Sequence, residues 1–138
     1  MRRLGLSGIV YLDLETYSGT SACEAAVGHY AGGFTNRLHA LGYRSGVYGS
    51  ACSPDMDVYA TLNNVPDDVW IAQYNGIDSA ASSGSVDCVA TTHWTHHQRI
   101  HQYRGTHDVT YGGVTVSVDS DCFDADTTGA AALDLTCG

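Results

Sequence analysis

The chain has 138 residues, 43% of them hydrophobic and only 15% charged, a balance that suits one folded domain and excludes a disordered segment. Fifteen acidic residues face six arginines and no lysine, for a net charge of -9. That charge excludes nucleic acid and anionic membrane surfaces as partners, and no apolar run approaches the ~20 residues of a membrane span.

Residues 8–14, Gly-Ile-Val-Tyr-Leu-Asp-Leu, are short, β-branched and almost continuously apolar. Such a run predicts a strand buried on both faces, as in a parallel sheet. Ser21 and Glu24 stand at capping-box spacing. Val27, Tyr30, Ala31, Phe34, Leu38 and Leu41 then recur at helical intervals and Gly42 supplies a stop, which predicts a helix over 22–41. Gly32 and Gly33 weaken it, by roughly 1 kcal/mol each relative to alanine. A second buried strand is predicted over 45–49, and Ser53-Pro54 opens a short helix reaching about Leu62. A third strand covers 69–74 and ends at Asn75-Gly76, followed by a Gly/Ser/Ala/Thr-rich surface loop over 76–92. A fourth strand spans 99–103, and Tyr111-Gly112-Gly113 turns into a fifth over 114–118. Strands alternating with helices predict right-handed βαβ units. The fold class is therefore α/β, with about five mainly parallel strands in an open sheet or part of a (β/α)8 barrel. A complete barrel typically takes ~250 residues.

The five cysteines, Cys23, Cys52, Cys88, Cys122 and Cys137, contain no CxxC pair, which argues against a zinc ribbon or a thioredoxin-like motif. They read as disulfides of an exported protein. An odd count leaves one thiol unpaired or a partner outside the chain. Met1-Arg2-Arg3 begins like a signal-peptide n-region, yet no apolar h-region follows. The expected location is secreted or cell-envelope.

The strongest chemical signal is Tyr11-Leu12-Asp13-Leu14-Glu15. Side chains alternate along a strand, so Tyr11, Asp13 and Glu15 share one face, while Val10, Leu12 and Leu14 turn toward a helix layer. Two carboxylates at the C-terminal end of a parallel strand stand where α/β folds gather catalytic groups. A carboxylate pair suits glycoside hydrolysis, one group protonated and the other ionised. A charged Asp13 favours a protonated Glu15, which makes Glu15 the proton donor and Asp13 its partner. Tyr48, Trp70, Tyr74 and Tyr103 offer aromatic faces to sugar rings, and Gln73 and Gln102 could bond sugar hydroxyls. Asp119 and Asp121 follow a strand and are further candidates. His93, His96, His97 and His101 carry metal-like spacings but no acid among them. The Asp119–Asp126 run lacks the glycine and glutamate of a calcium loop. No metal or other cofactor is expected.

The segment Ile9–Tyr17 resembles the Asp-x-Glu strand of the family 25 glycoside hydrolases, the muramidases that cut peptidoglycan. Gly42–Ser50 and Trp70-Ile71-Ala72-Gln73-Tyr74 are similar to their following strands, and Gln102-Tyr103 with Val118-Asp119 to their last two. The resemblance is closer to the glycoside-hydrolase-like family catalogued as domain of unknown function 1906, through Trp94–Tyr103 and Thr110–Val114. It implies that the whole chain, 1–138, is the C-terminal part of a glycoside-hydrolase-like barrel of the (β/α)8 type, with Asp13–Tyr17 at or near the fourth strand. The muramidases' first-strand acid has no counterpart here, and a signal peptide is expected to have been lost with an N-terminal part. The resemblance implies Asp13 and Glu15 as catalytic residues, with Tyr17, Tyr48, Trp70, Tyr74, Gln102, Asp119 and Asp121 binding a cell-wall carbohydrate. The alternative is a glycan-binding or structural domain without hydrolysis.

Overall fold

A computed structural model describes residues 7–15, 17–52, 55–81 and 85–125. The readings placed on Met1-Arg2-Arg3, Ser53-Pro54, Asp126 and Cys137 lie outside the described residues. The elements are β1 (Ile9–Asp13), α1 (Ser21–Ala40), β2 (Arg44–Ser50), α2 (Asp55–Ala60), β3 (Asp68–Ala72), β4 (Gln98–Tyr111) and β5 (Val114–Ala125). The five strands form one sheet in sequence order. β1–β2, β2–β3 and β3–β4 pair in parallel, and β4–β5 pair antiparallel.

α1 forms where the periodicity predicts, but Thr20 caps it rather than Ser21. The Thr20 hydroxyl accepts from the Cys23 N–H at 3.4 Å. Its C-terminus closes on Gly42 at φ 75°, with Gly42 N–H donating to His39 O (2.9 Å) and Tyr43 N–H to Leu38 O (3.0 Å). That is a Schellman closure, which needs a left-handed residue there. The buried face of α1 (Gly28, Ala31, Thr35, Leu38) turns to the sheet. Leu12, Leu14, Val47, Val69 and Ile71 meet it from the strands, with Met56 and Tyr59 from α2. β1 itself is only half-buried, not buried on both faces. Among the described residues it pairs on one side alone, and the face of Tyr11 and Asp13 opens to a cleft.

The antiparallel β5 departs from the mainly parallel expectation. Gly112 and Gly113 take φ values of 57° and 83°, the left-handed pair that a two-residue hairpin turn requires. A two-residue turn can join only antiparallel neighbours. β4 also runs on for 14 residues, well past Tyr103. Its outer half alternates half-buried and exposed residues and is held by its partner, for example by Thr110–Thr115 hydroxyls at 2.9 Å.

At the other end of the sheet, Asp67 ties α1 to β2. It accepts from Ser45 N–H at 2.7 Å, from the Ser45 hydroxyl at 3.2 Å and from His39 Nε2 at 2.7 Å. Burial alone would raise its pKa, but these bonds outweigh it and hold the carboxyl below the usual range. A lowered folded-state pKa stabilises the fold above the ordinary carboxylate value and stops doing so as pH falls through the folded value. Asp67→Asn is therefore expected to lower stability by about 1–2 kcal/mol at neutral pH. The gap from wild type should close in acid, below about pH 4, in denaturant titrations run across pH.

Arg99 and His101 anchor the histidine-rich segment. Arg99 is buried and donates from Nε to Trp94 O (3.2 Å) and from Nη2 to Ala90 O (2.9 Å) and His93 O (2.5 Å). It thereby fastens a turn whose Trp94 and His97 have positive φ. His101 is buried with its two ring nitrogens at 2.6 Å from Ser79 O and 2.9 Å from Gln73 O. Among the described residues no cluster of three or more His, Cys, Asp or Glu is placed to hold a metal.

Candidate active-site cleft

Register builds the site. Asp13 faces Tyr48 across β1–β2, and Tyr48 faces Trp70 across β2–β3. Ala72 faces Gln102, and Gln102 faces Asp121. Paired residues share a sheet face, so all of these turn away from the helices. Tyr11 lies two residues before Asp13 on that face, edge-on to Trp70 with ring centroids 5.9 Å apart. Tyr48 also meets Trp70 edge-on, at 5.2 Å. The Tyr11 ring lies against Gly46, where a Cβ atom would fall 2.4 Å from the ring. Beneath it Arg44 and Asp68 form an ion pair at 2.7 Å, with the Asp68 side chain fully buried.

The chain stays extended beyond β1. Leu14 N–H donates to Tyr48 O at 3.1 Å, which fixes Glu15 above Asp13. Tyr11, Asp13, Glu15, Tyr48, Trp70 and Gln102 line a cleft of about 390 Å³. A second hollow of about 490 Å³ shares Glu15 and Tyr48 and continues over Ser50, Cys52, Gln73 and Tyr74. Cys52 is bonded to Cys88, 36 residues away. Cys122 is also disulfide-bonded, and Cys23 is the free thiol among the described residues.

One hydrogen-bond relay supports the cleft. Gln102 Nε2 donates to Asp119 Oδ2 at 3.2 Å, while its Oε1 accepts from the Tyr48 hydroxyl at 3.0 Å and the Tyr74 hydroxyl at 3.2 Å. Trp70 Nε1 donates to Asp121 Oδ1 at 2.7 Å. Burial, then Tyr74, then Glu15 and Asp13 push the Tyr48 pKa up to about 12. Its hydroxyl is thus neutral, and both carboxylates are near enough to act on it. Burial also raises Tyr11, with Asp68 adding to the rise. Burial raises Asp121 and Asp119 adds to it, against the Trp70 hydrogen bond.

The sequence-derived candidates therefore fall into three groups. Asp13 and Glu15 are exposed and share the cleft with Tyr48, Trp70 and Gln102. Tyr74 belongs to the adjoining hollow. Asp119 and Asp121 are outside both linings and reach the site through Gln102 and Trp70. Tyr17 is half-buried and lines neither hollow. The residue missed is Tyr11, which forms a wall of the cleft. Strand alternation had put it on the right face, but its packing on Gly46 depends on register.

A layer of parallel strands and helices, with a carboxylate-bearing aromatic cleft at the strands' C-terminal ends, is the arrangement of a glycoside-hydrolase-like α/β domain. The chain belongs to the Rv2525c-like, glycoside hydrolase-like domain family, whose model matches residues 2–123. No curated protein and no solved structure matches the chain.

Proposed function

We propose that this domain hydrolyses a cell-wall glycan, peptidoglycan or a related polysaccharide, with Glu15 donating a proton to the leaving oxygen and Asp13 as its ionised partner. The observation that carries this reading is that Asp13 and Glu15 line one cleft with Tyr11, Tyr48 and Trp70. Aromatic walls suit sugar rings, and two carboxyl groups are the usual equipment for cleaving a glycosidic bond. Asp119 and Asp121 act as positioning residues for Gln102 and Trp70. The sheet is read as part of a (β/α)8-type barrel, of which β1–β4 supply the parallel strands. A secreted or cell-envelope location fits the Cys52–Cys88 disulfide. No helix among the described residues is long and apolar enough to cross a membrane.

The test is clearance of a peptidoglycan suspension. Wild type is expected to clear it, and a variant carrying both Asp13→Asn and Glu15→Gln is expected to bind the wall without clearing it. Equal clearance by both proteins would remove the carboxylate pair from the chemistry. Binding without clearance by wild type would turn the reading to a glycan-binding module.

A further inference from the structure

The hydrogen-bond order of the relay fixes what the cleft can recognise. A carboxylate can only accept, so Asp119 requires the nitrogen side of the Gln102 amide. Gln102 Oε1 is then turned to the two tyrosines, whose hydroxyl hydrogens are taken up by it and by the Tyr48–Tyr74 hydrogen bond. Each hydroxyl is left with lone pairs alone for a ligand. Trp70 directs its N–H to Asp121. The Tyr11 hydroxyl is shut off from solvent. Asp13 and Glu15 are exposed, and with Glu15 holding the proton it donates, Asp13 is the anionic group of the cleft. Among the described residues no arginine or histidine lines either hollow, and Arg44 below is already paired with Asp68. The lining made by Tyr11, Asp13, Glu15, Tyr48, Trp70 and Gln102 presents aromatic rings, acceptors and negative charge, while the Ser50 hydroxyl and the Gln73 amide are donors in the adjoining hollow.

Resting on the glycan reading above, we infer that within a cell-wall glycan the cleft prefers hexosamine units whose amino group is free, and so donates and carries charge, over N-acetylated ones. An ammonium placed here meets the Asp13 carboxylate, can donate to Glu15 and lies within reach of the Trp70 and Tyr48 rings, which favour cations. An N-acetyl group would cancel the charge, and a uronic acid beside Asp13 would meet like charge.

The test is calorimetric binding of the full chain to three oligosaccharides of equal length: a glucosamine oligomer, an N-acetylglucosamine oligomer and a galacturonic acid oligomer. The pH is set where the amine is protonated. The glucosamine oligomer is expected to bind about tenfold tighter than the acetylated one, and the acidic one not at all. The preference should shrink at high salt and in Asp13→Asn, whose carboxylate is exposed. Equal or tighter binding of the acetylated oligomer would overturn the inference and leave the glycan reading standing. Binding of none of the three would overturn both.

Discussion

Glu15→Gln is expected to slow hydrolysis of a natural glycan about 10²–10⁴-fold, the range that a positioned general acid supplies. The same variant should keep most of its activity on an aryl glycoside, whose leaving group departs without a proton. Asp13→Asn should be impaired on both substrates, because stabilising positive charge at the sugar carbon is needed whatever the leaving group. Both side chains are exposed, so neither change disturbs the core, and matching thermal melts would establish that. An equal loss on both substrates for Glu15→Gln would move the proton-donor role to another group. The contrast between substrates reads the chemistry of each carboxyl separately, which a single activity value cannot do.

Gly46→Ala is expected to destabilise the fold by about 2–3 kcal/mol, although the substitution adds one methyl group. At this glycine, which has no positive φ, alanine would ordinarily be neutral or better. Here the new Cβ would fall 2.4 Å from the Tyr11 ring, and that ring is hemmed in by Trp70. The check is a double-mutant cycle by denaturant unfolding. In a Tyr11→Ala background the cost of Gly46→Ala should fall to a few tenths of a kcal/mol, leaving a coupling of about 2 kcal/mol. Additive costs would mean that the ring yields freely and that the cleft wall is not fixed.

Most of the sheet and its first helix are written locally. The runs at 8–14, 45–49 and 69–74 are short and apolar because their strands face a helix layer, and each is a strand within a residue or two of its expected ends. The helix over 22–41 is α1 with its start shifted by one. Thr20 and Ser21 are adjacent hydroxyls, and propensity alone does not choose between two neighbouring caps. The outer half of β4 carries no such signal. Arg104, Thr106, Asp108 and Thr110 are exposed polar residues that become a strand because the chain from Val114 to Ser120 folds back along them. Asp13 and Glu15 stood out because two acids in an apolar run are costly to place. The roles of Asp119 and Gln102 did not, because they rest on contacts between residues 17 to 54 apart in the chain.

The bond from Cys52 to Cys88 joins the lip that follows β2 to the long loop after β3, and Cys52 lies on the same hollow as Glu15. Closing a loop of that length restrains the unfolded chain by about 3–4 kcal/mol. In a thiol-rich, reducing medium that restraint would be lost, and one bank of the hollow would be untethered. The contour of the hollow beside Glu15 is thus linked to the oxidation state of its surroundings.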